Sequence, residues 1–440
     1  LQRKNIVRHG THPQNVCMRF FAILLFLVCS VCYGQVLTTH FFPEIKELYK
    51  SAEENSLTAR LISLRYKEAS ASATIDSSWR WPSLVAGVDC DETLKQQQGY
   101  NSTVYDQQTT PSVTLTYPIY HSGAYMAASR RGKEAVLQAK MQNLSDRRAQ
   151  FSQIEELYFD LMLKEKRFVI AQEDYEAFER GLKATVTSTA SALSLEDQRL
   201  QKAQKKLDLD RMQGDILATE KNLKKASGWQ GNLKLDFTFT GFPDSLITPA
   251  EWLPESLLGT PATRSYESQA REQGDYAVES RAENLPTLDF TSGFYQNQID
   301  LVNAHSVNQQ NYFVGLQLRW TLFNGFRAQA STAAAHARQR RLQELAHQEL
   351  GNSRDALSED LRALKEQATA YDIAISRRKI AATQYEAQEA LKKQGQTSQE
   401  TYEAAKRNYD SMEIDALQSL TDFLKLYAKI QRNMEMDKNA

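Results

Sequence analysis

Four stretches of this chain alternate apolar and polar side chains, and each pair of stretches runs into a long heptad-patterned segment. In the first, Leu84, Ala86, Val88 and Cys90 share one parity, and Ser83, Gly87, Asp89 and Asp91 take the other. In the second, Val113, Leu115, Tyr117 and Ile119 are set against Ser112, Thr114 and Thr116. Leu288, Phe290 and Phe294 oppose Thr287, Asp289 and Thr291 in the third. The fourth sets Val314, Leu316, Leu318, Trp320 and Leu322 against Phe313, Gly315, Gln317, Arg319 and Thr321. A period of two predicts strands, about 83–91, 112–120, 287–295 and 312–323, each with one apolar and one polar face. About ten residues is also the length of a strand tilted across a bilayer, although a soluble sheet with one wetted face gives the same alternation.

The segments that follow are helical by spacing. After Gly325 no proline occurs to about Gln394, and Leu357, Leu361, Leu364, Ala368, Tyr371 and Ile375 step by four and three in turn. Roughly seventy helical residues would reach about 100 Å at 1.5 Å per residue. The earlier segment runs from Ala124 to about Leu182, with Leu137, Met141, Leu144 and Phe151 on one stripe. Each long helix then meets a break, Thr185 to Leu195 in the first case and Gly395-Gln396-Thr397-Ser398 in the second. Returning helices are expected over Glu196–Ser227, stopped by Gly228, and over Gln399–Asn433, with Leu417, Leu420, Leu424 and Tyr427 on its seam. Ser398 suits an N-cap, and Glu400 in the first turn suits the helix dipole.

The two halves are copies of one plan. Pro82 and Pro286 lie 204 residues apart, and Gly123 and Gly325 lie 202 apart. A repeat of this length points to a duplicated structural unit. The expected organisation is a first repeat over 35–228 (helical hairpin 124–228), a connecting segment at 229–261, and a second repeat over 262–434 (helical hairpin 326–433). The connecting segment carries four of the ten prolines, one short strand is expected in it at Leu233–Phe239, and a tail follows at 435–440.

Residues 1–34 read as upstream residues and a secretory leader, with Arg19 before an apolar core that starts near Phe20 and small residues near Gly34. The apolar core is shorter than the ~20 residues a spanning helix needs. Cys17, Cys29 and Cys32 lie at this end, so Cys90 alone remains beyond it, and an intrachain disulfide framework is excluded. With 53 basic against 54 acidic side chains, no basic footprint for nucleic acid exists. No phosphate-cradling loop, zinc-protease helix or nucleophile elbow occurs, so no catalytic residue, cofactor site or metal site is assigned, and no enzyme is expected.

Two features favour a membrane setting for the strands. Both hairpin connections, Glu92 to Pro111 and Gln296 to Gln310, are long and rich in Gln, Asn and Thr, whereas a soluble hairpin turns in two to five residues. Trp79, Trp81, Tyr117, Tyr120, Trp320 and Phe323 fall at the rim shared by the starts of the first strands and the ends of the second ones, as in an aromatic girdle. On that reading Val314, Leu316, Leu318, Leu288 and Phe290 face lipid, and Asp289, Gln317 and Arg319 face a lumen. Four strands cannot close a barrel, and an open edge in lipid leaves backbone groups unpaired, so the chain would associate with itself.

Strand pair, long helix and helical hairpin, repeated once behind a leader, resemble the TolC-like outer-membrane efflux and secretion channels. The most specific pieces are Leu285-Pro286-Thr287-Leu288, Trp320-Thr321-Leu322-Phe323-Asn324-Gly325-Phe326 running into an alanine-rich helix, and Gly395-Gln396-Thr397-Ser398 followed by Tyr402 and Ala405. The first hairpin departs from the pattern, with Thr and Ser in place of the usual glycine. The resemblance implies a mainly α fold with a small β part: a homotrimer whose twelve strands form one β-barrel, continued by an α-helical periplasmic barrel. It implies an outer-membrane location, a periplasmic adaptor and an inner-membrane transporter as partners, and a passive duct for small molecules or polypeptides. Six hairpin ends would meet at the periplasmic mouth, making Glu196, Asp197, Glu400 and Glu403 candidates for a gating ring that favours cations, although the same acids also suit helix N-termini. The competing reading is a periplasmic coiled-coil scaffold or adaptor without a pore.

Overall fold

The computed structural model describes residue 38 and residues 41–92, 105–185, 192–231, 242–243, 246, 259–301 and 307–434. The leader, the strand expected at Leu233–Phe239 and the tail lie outside the described residues. In chain order the elements are α1 (Glu44–Asn55), α2 (Leu57–Ser78), β1 (Ser83–Glu92), β2 (Tyr105–Tyr120), α3 (Ala124–Thr185) and α4 (Ala192–Ser227). Then come α5 (Pro261–Ala282), β3 (Thr287–Leu301), β4 (Val307–Arg319), α6 (Arg327–Lys393) and α7 (Gln399–Met434). The chain is mainly helical with one small antiparallel sheet.

Helices α2 and α5 were not foreseen from the sequence. Both have 22 residues, and both begin 204 residues apart, at Leu57 and Pro261, and end 204 apart, at Ser78 and Ala282. The repeat therefore extends upstream of the strands. Local signals mark both starts: Ser56 Oγ accepts the Ala59 N–H at 3.0 Å, and Pro261 fills the first helical position, where a missing N–H costs nothing.

The strands outrun their expected ends. β2 begins at Tyr105 and not near 112, β3 continues to Leu301, and β4 begins at Val307. Backbone pairing does not depend on side-chain polarity, so the Gln- and Asn-rich stretches that resembled loops continue the ladder. The remaining connections, 93–104 and 302–306, lie outside the described residues. At the other end β4 stops at Arg319, short of the expected 323. There the Trp320 indole N–H donates to the Asn284 carbonyl at 3.1 Å. Gly325 and Phe326, at φ 67° and 64°, then turn the chain into α6.

The compact units cut across the repeats. One unit is drawn from residues up to 61, 145–260 and from 352 onward. Its core joins Ile45 and Leu48 of α1, Ile154, Tyr158 and Phe159 of α3, Leu223 of α4, and the seams of α6 and α7. On α6 the heptad positions Leu357, Leu364, Ala368, Tyr371 and Ile375 are buried, and on α7 so are Leu417, Leu420, Leu424 and Tyr427. Within this core Glu155 is 2% exposed; Arg432 grips it with two hydrogen bonds of 2.7 Å, and the Tyr49 hydroxyl donates to it. The end of α6 is closed by its glycine: with Gly395 at φ 70°, the Gln396 N–H reaches the Leu391 carbonyl at 2.9 Å and the Gly395 N–H reaches Lys392 at 3.0 Å. Ser398 then caps α7, accepting the Thr401 N–H at 3.1 Å.

The second unit comprises 62–144 and 261–351 and holds the whole sheet. Helix α2 lies close on α3: a Cβ at Gly132 would stand 2.8 Å from the Ala73 Cα. Helix α5 packs on α3 through polar side chains, with Ser268 donating to Glu134 at 2.7 Å and Arg131 meeting Glu279 at 3.0 Å.

Candidate functional site

The sheet has the order β1-β2-β3-β4, antiparallel throughout, and its register gathers side chains by chemistry. Leu84 pairs Leu115 and Ala86 pairs Val113. Val113 then pairs Phe294, and Tyr117 pairs Phe290. Leu288 pairs Leu318, Phe290 pairs Leu316 and Phe294 pairs Tyr312. One face is thus apolar across all four strands apart from Ser292, which lies between Leu115 and Val314. The opposite face reads Ser83 with Thr116, Gly87 with Ser112, Thr116 with Thr291, Asp289 with Gln317 and Thr287 with Arg319. Opposed residues share a face in a pleated sheet, so this segregation follows from parity plus register.

The apolar face is uncovered within the chain. Val314 is 74% exposed, and Leu316 and Leu318 are 66% and 67% exposed. Leu288 and Phe290 are half-buried, because they sit on β3 between Tyr120 or Tyr117 on one side and Leu318 or Leu316 on the other. On the polar face, Gly293 gives room to an aromatic ring: a Cβ there would lie 2.8 Å from Phe313 Cζ and 2.5 Å from the Val113 carbonyl oxygen. The outer edges of β1 and β4 have no neighbouring strand among the described residues.

Gln317 and Arg319 are exposed, but Asp289 is not free. His121 Nε2 lies 2.6 Å from Asp289 Oδ1, and the His121 ring stacks on Tyr125 with centroids 4.1 Å apart. The next residue, Ser122, donates to the Pro286 carbonyl at 3.0 Å. Ser122 and Gly123 take φ of 52° and 84°, so the chain turns from β2 into α3 while pinned to the start of β3. A bulge between Pro118 and Tyr120 inserts the residue this corner needs. The strand expected over 112–120 stops just short of His121, and nothing local links this histidine to an aspartate 168 residues away.

The six aromatic residues expected at one rim are all exposed. Pairing of Ser83 with Thr116, of Leu288 with Tyr120 and of Thr287 with Arg319 puts Trp81, Tyr117, Tyr120 and Trp320 at one end of the sheet.

The acidic candidates at the hairpin ends divide. Glu196 and Asp197 are exposed; Glu196 is 3.6 Å from Arg199, and Asp197 accepts from Gln201 at 2.9 Å. Glu400 is exposed. Glu403 is half-buried, accepts from Gln399 at 2.6 Å, and lines a cleft of about 290 Å³ with Glu173, Arg180, Lys392, Lys406 and Asp410. In this cleft Lys406 is bonded to Glu173, and the bond holds its ammonium pKa above the usual range. Burial raises the Asp410 carboxyl, a shift that Lys406 opposes. Nearby, Tyr385 and Tyr402 share a hydrogen bond of 3.0 Å that, with burial, pushes Tyr385 up to about 12.

No family model matches the chain, and no curated protein does. Solved structures do. The CmeC outer membrane channel of Campylobacter jejuni superposes with a TM-score of 0.73 at 16% identity, covering 90% of this chain and 86% of CmeC. The fold is TolC-like. CusC, known from structures following its folding and transmembrane channel formation, gives 0.68 at 19% identity over 90% of this chain and 93% of its own. The open state of the MtrE outer membrane channel of Neisseria gonorrhoeae gives 0.69 at 15% identity over 90% of each chain. A TolC-like fold accounts for a mainly helical chain that carries one two-faced sheet. At these identities the likeness speaks to fold.

Proposed function

We propose that the chain is a passive exit duct of the outer membrane, acting as a homotrimer whose four-stranded sheets join into a twelve-stranded barrel continued by periplasmic helices. The observation that carries this reading is the sheet: one largely apolar face, one mainly polar face and, among the described residues, two open edges. In lipid the edges must pair with other copies, since each unsatisfied backbone group costs several kcal/mol. No described helix is long and apolar enough to cross a membrane. Val314, Leu316, Leu318, Leu288 and Phe290 then face lipid, while Asp289, Gln317 and Arg319 face the lumen. The exposed aromatic residues form the periplasmic girdle. A periplasmic adaptor and an inner-membrane transporter complete a tripartite efflux pump or type I secretion system, and the transporter supplies the energy. Outer-membrane fractionation and a heat-modifiability gel test the class. A heat-modifiable oligomer in the outer membrane is expected, and a monomer or a soluble periplasmic pool would favour the scaffold reading.

The hairpin ends form the gate in this reading. Glu196, Asp197, Glu400 and Glu403 from three copies would ring the periplasmic entrance and favour cations there. Replacing Glu400 and Glu403 together by Gln is expected to lower cation selectivity and block by multivalent cations in planar bilayers. A variant that loses slight thermal stability with conductance and selectivity unchanged would leave Glu400, in the first turn of α7, as a helix-dipole partner worth a few tenths of a kcal/mol.

A further inference from the structure

We infer the register with which one copy's β4 pairs with β1 of the next, resting on the proposal that copies join edge to edge. The duplication supplies the rule. Shifting β1 forward by 204 residues and β2 by 203 turns the pairing Ser83 with Thr116 into Thr287 with Arg319, and Leu84 with Leu115 into Leu288 with Leu318. Both are the pairings found between β3 and β4. The repeat thus preserves pairing residue by residue. The β2–β3 junction joins the two repeats within a chain, and its counterpart is the junction between β4 of one copy and β1 of another.

The same shifts fix that seam. Val113 with Phe294 becomes Leu316 with Cys90, and Leu115 with Ser292 becomes Leu318 with Val88. Thr114 with Gly293 becomes Gln317 with Asp89, and Thr116 with Thr291 becomes Arg319 with Gly87. Every predicted pair keeps its face, apolar with apolar and polar with polar, and a slip of one residue would reverse all of them. Charge agrees as well. Arg319 stands opposite a glycine and diagonal to Asp89, a separation of about 7–8 Å that a long side chain bridges. Both side chains are exposed in the single chain, and among the described residues neither forms an ion pair.

A second element gives the same occupant. At the positions where α5 presents Ser268 and Glu279 to α3, its repeat partner α2 carries Leu64 and Ile75, which are 58% and 63% exposed. Across the seam the helix equivalent to α3 is α6 of the adjoining copy. Large apolar side chains in place of a hydrogen-bonded serine and an ion-paired glutamate are suited to that contact.

Cys90 lies on the exposed face of β1 and serves as a built-in probe. The test is Leu316→Cys in the full-length protein, oxidised in outer-membrane fractions and run on a non-reducing gel after denaturation. Paired Cα atoms lie about 4.5–5.5 Å apart, within disulfide reach, whereas positions displaced by two exceed about 7 Å and cannot be bridged without backbone movement. Leu316→Cys is expected to give covalent oligomers, and Val314→Cys and Leu318→Cys to give little; Cys90→Ser should abolish the product. Faster crosslinking from Val314→Cys or Leu318→Cys overturns the register while leaving the oligomer standing. An intact heat-modifiable oligomer with no crosslink from any of the three overturns the seam. Loss of the oligomer in the unmutated protein would instead sink the duct reading. As a second measure, Arg319→Glu should lower the temperature at which the oligomer dissociates, and Asp89→Arg in the same chain should restore it.

Discussion

Arg432→Met is expected to destabilise the protein by about 3–5 kcal/mol, because it strands a carboxylate in an apolar core. Glu155 is 2% exposed and takes both guanidinium hydrogen bonds of Arg432, whose side chain is 14% exposed. Without Arg432 the Tyr49 hydroxyl would be its sole remaining partner among the contacts described. Burial and the adjoining carboxylate already hold the Tyr49 hydroxyl well above its ordinary pKa, so Tyr49 cannot take over the charge. The pair joins α3 of the first repeat to α7 of the second, 277 residues away, next to α1. Replacing both members, Glu155→Leu with Arg432→Met, removes the stranded charge and is expected to fall within about 2 kcal/mol of the unmutated protein. Urea unfolding followed by helical circular dichroism, at one protein and detergent concentration, compares the three proteins. A single-variant loss below about 1 kcal/mol would mean that water reaches Glu155, and the cluster would then be only a surface-grade ion pair.

The parts of this fold legible in sequence are those set by local periodicity. Strand parity placed Leu316 and Gln317 on opposite faces, and the heptad step placed Leu357, Leu364 and Tyr371 in the core, because a pleat and a helix fix which neighbours share a side. Helices α2 and α5 escaped because neither sustains an apolar stripe: α5 buries Thr263, Ser268, Ala270, Ala277, Ser280 and Ala282, all small, while on α2 the stripe of Leu57, Leu61 and Leu64 gives way to Glu68 and none of these side chains is buried. Their start signals, Ser56 and Pro261, were present but had no sustained periodic run to attach to. Strand ends were misplaced for a related reason, since Gln and Asn mark the limit of an apolar environment and not the limit of backbone pairing. The corner formed by His121 and Asp289 and the buried pair of Glu155 and Arg432 depend on contacts between distant residues. No spacing within one element announces such pairs. The gate residues were legible as helix N-terminal acids, but only Glu400 stands in a first helical turn: α4 begins at Ala192, ahead of Glu196 and Asp197, and Glu403 lines a charged cleft.

Val314→Arg is expected to cost about 2–4 kcal/mol of folding stability in lipid, while Gln317→Arg is expected to cost little. Depth sets the first value. Val314 lies six residues before Trp320, about 20 Å along a strand, which at a tilt near 45° is about 14 Å into an apolar band about 25 Å tall. That is close to the midplane, where a lipid-facing charge has no water to reach. Leu318 lies two residues from Trp320, so Leu318→Arg can extend its guanidinium to the interface and should cost about 0–1 kcal/mol. Gln317 is on the opposite face, paired with Asp289 across the sheet, where a further cation meets polar neighbours and the lumen. Folding from urea into lipid vesicles, scored by heat modifiability, orders the three variants. The expected order of damage is Val314→Arg, then Leu318→Arg, then Gln317→Arg. Equal damage from Val314→Arg and Gln317→Arg would mean that both faces meet the same environment, as in a soluble sheet, and that the chain does not span a membrane through these strands.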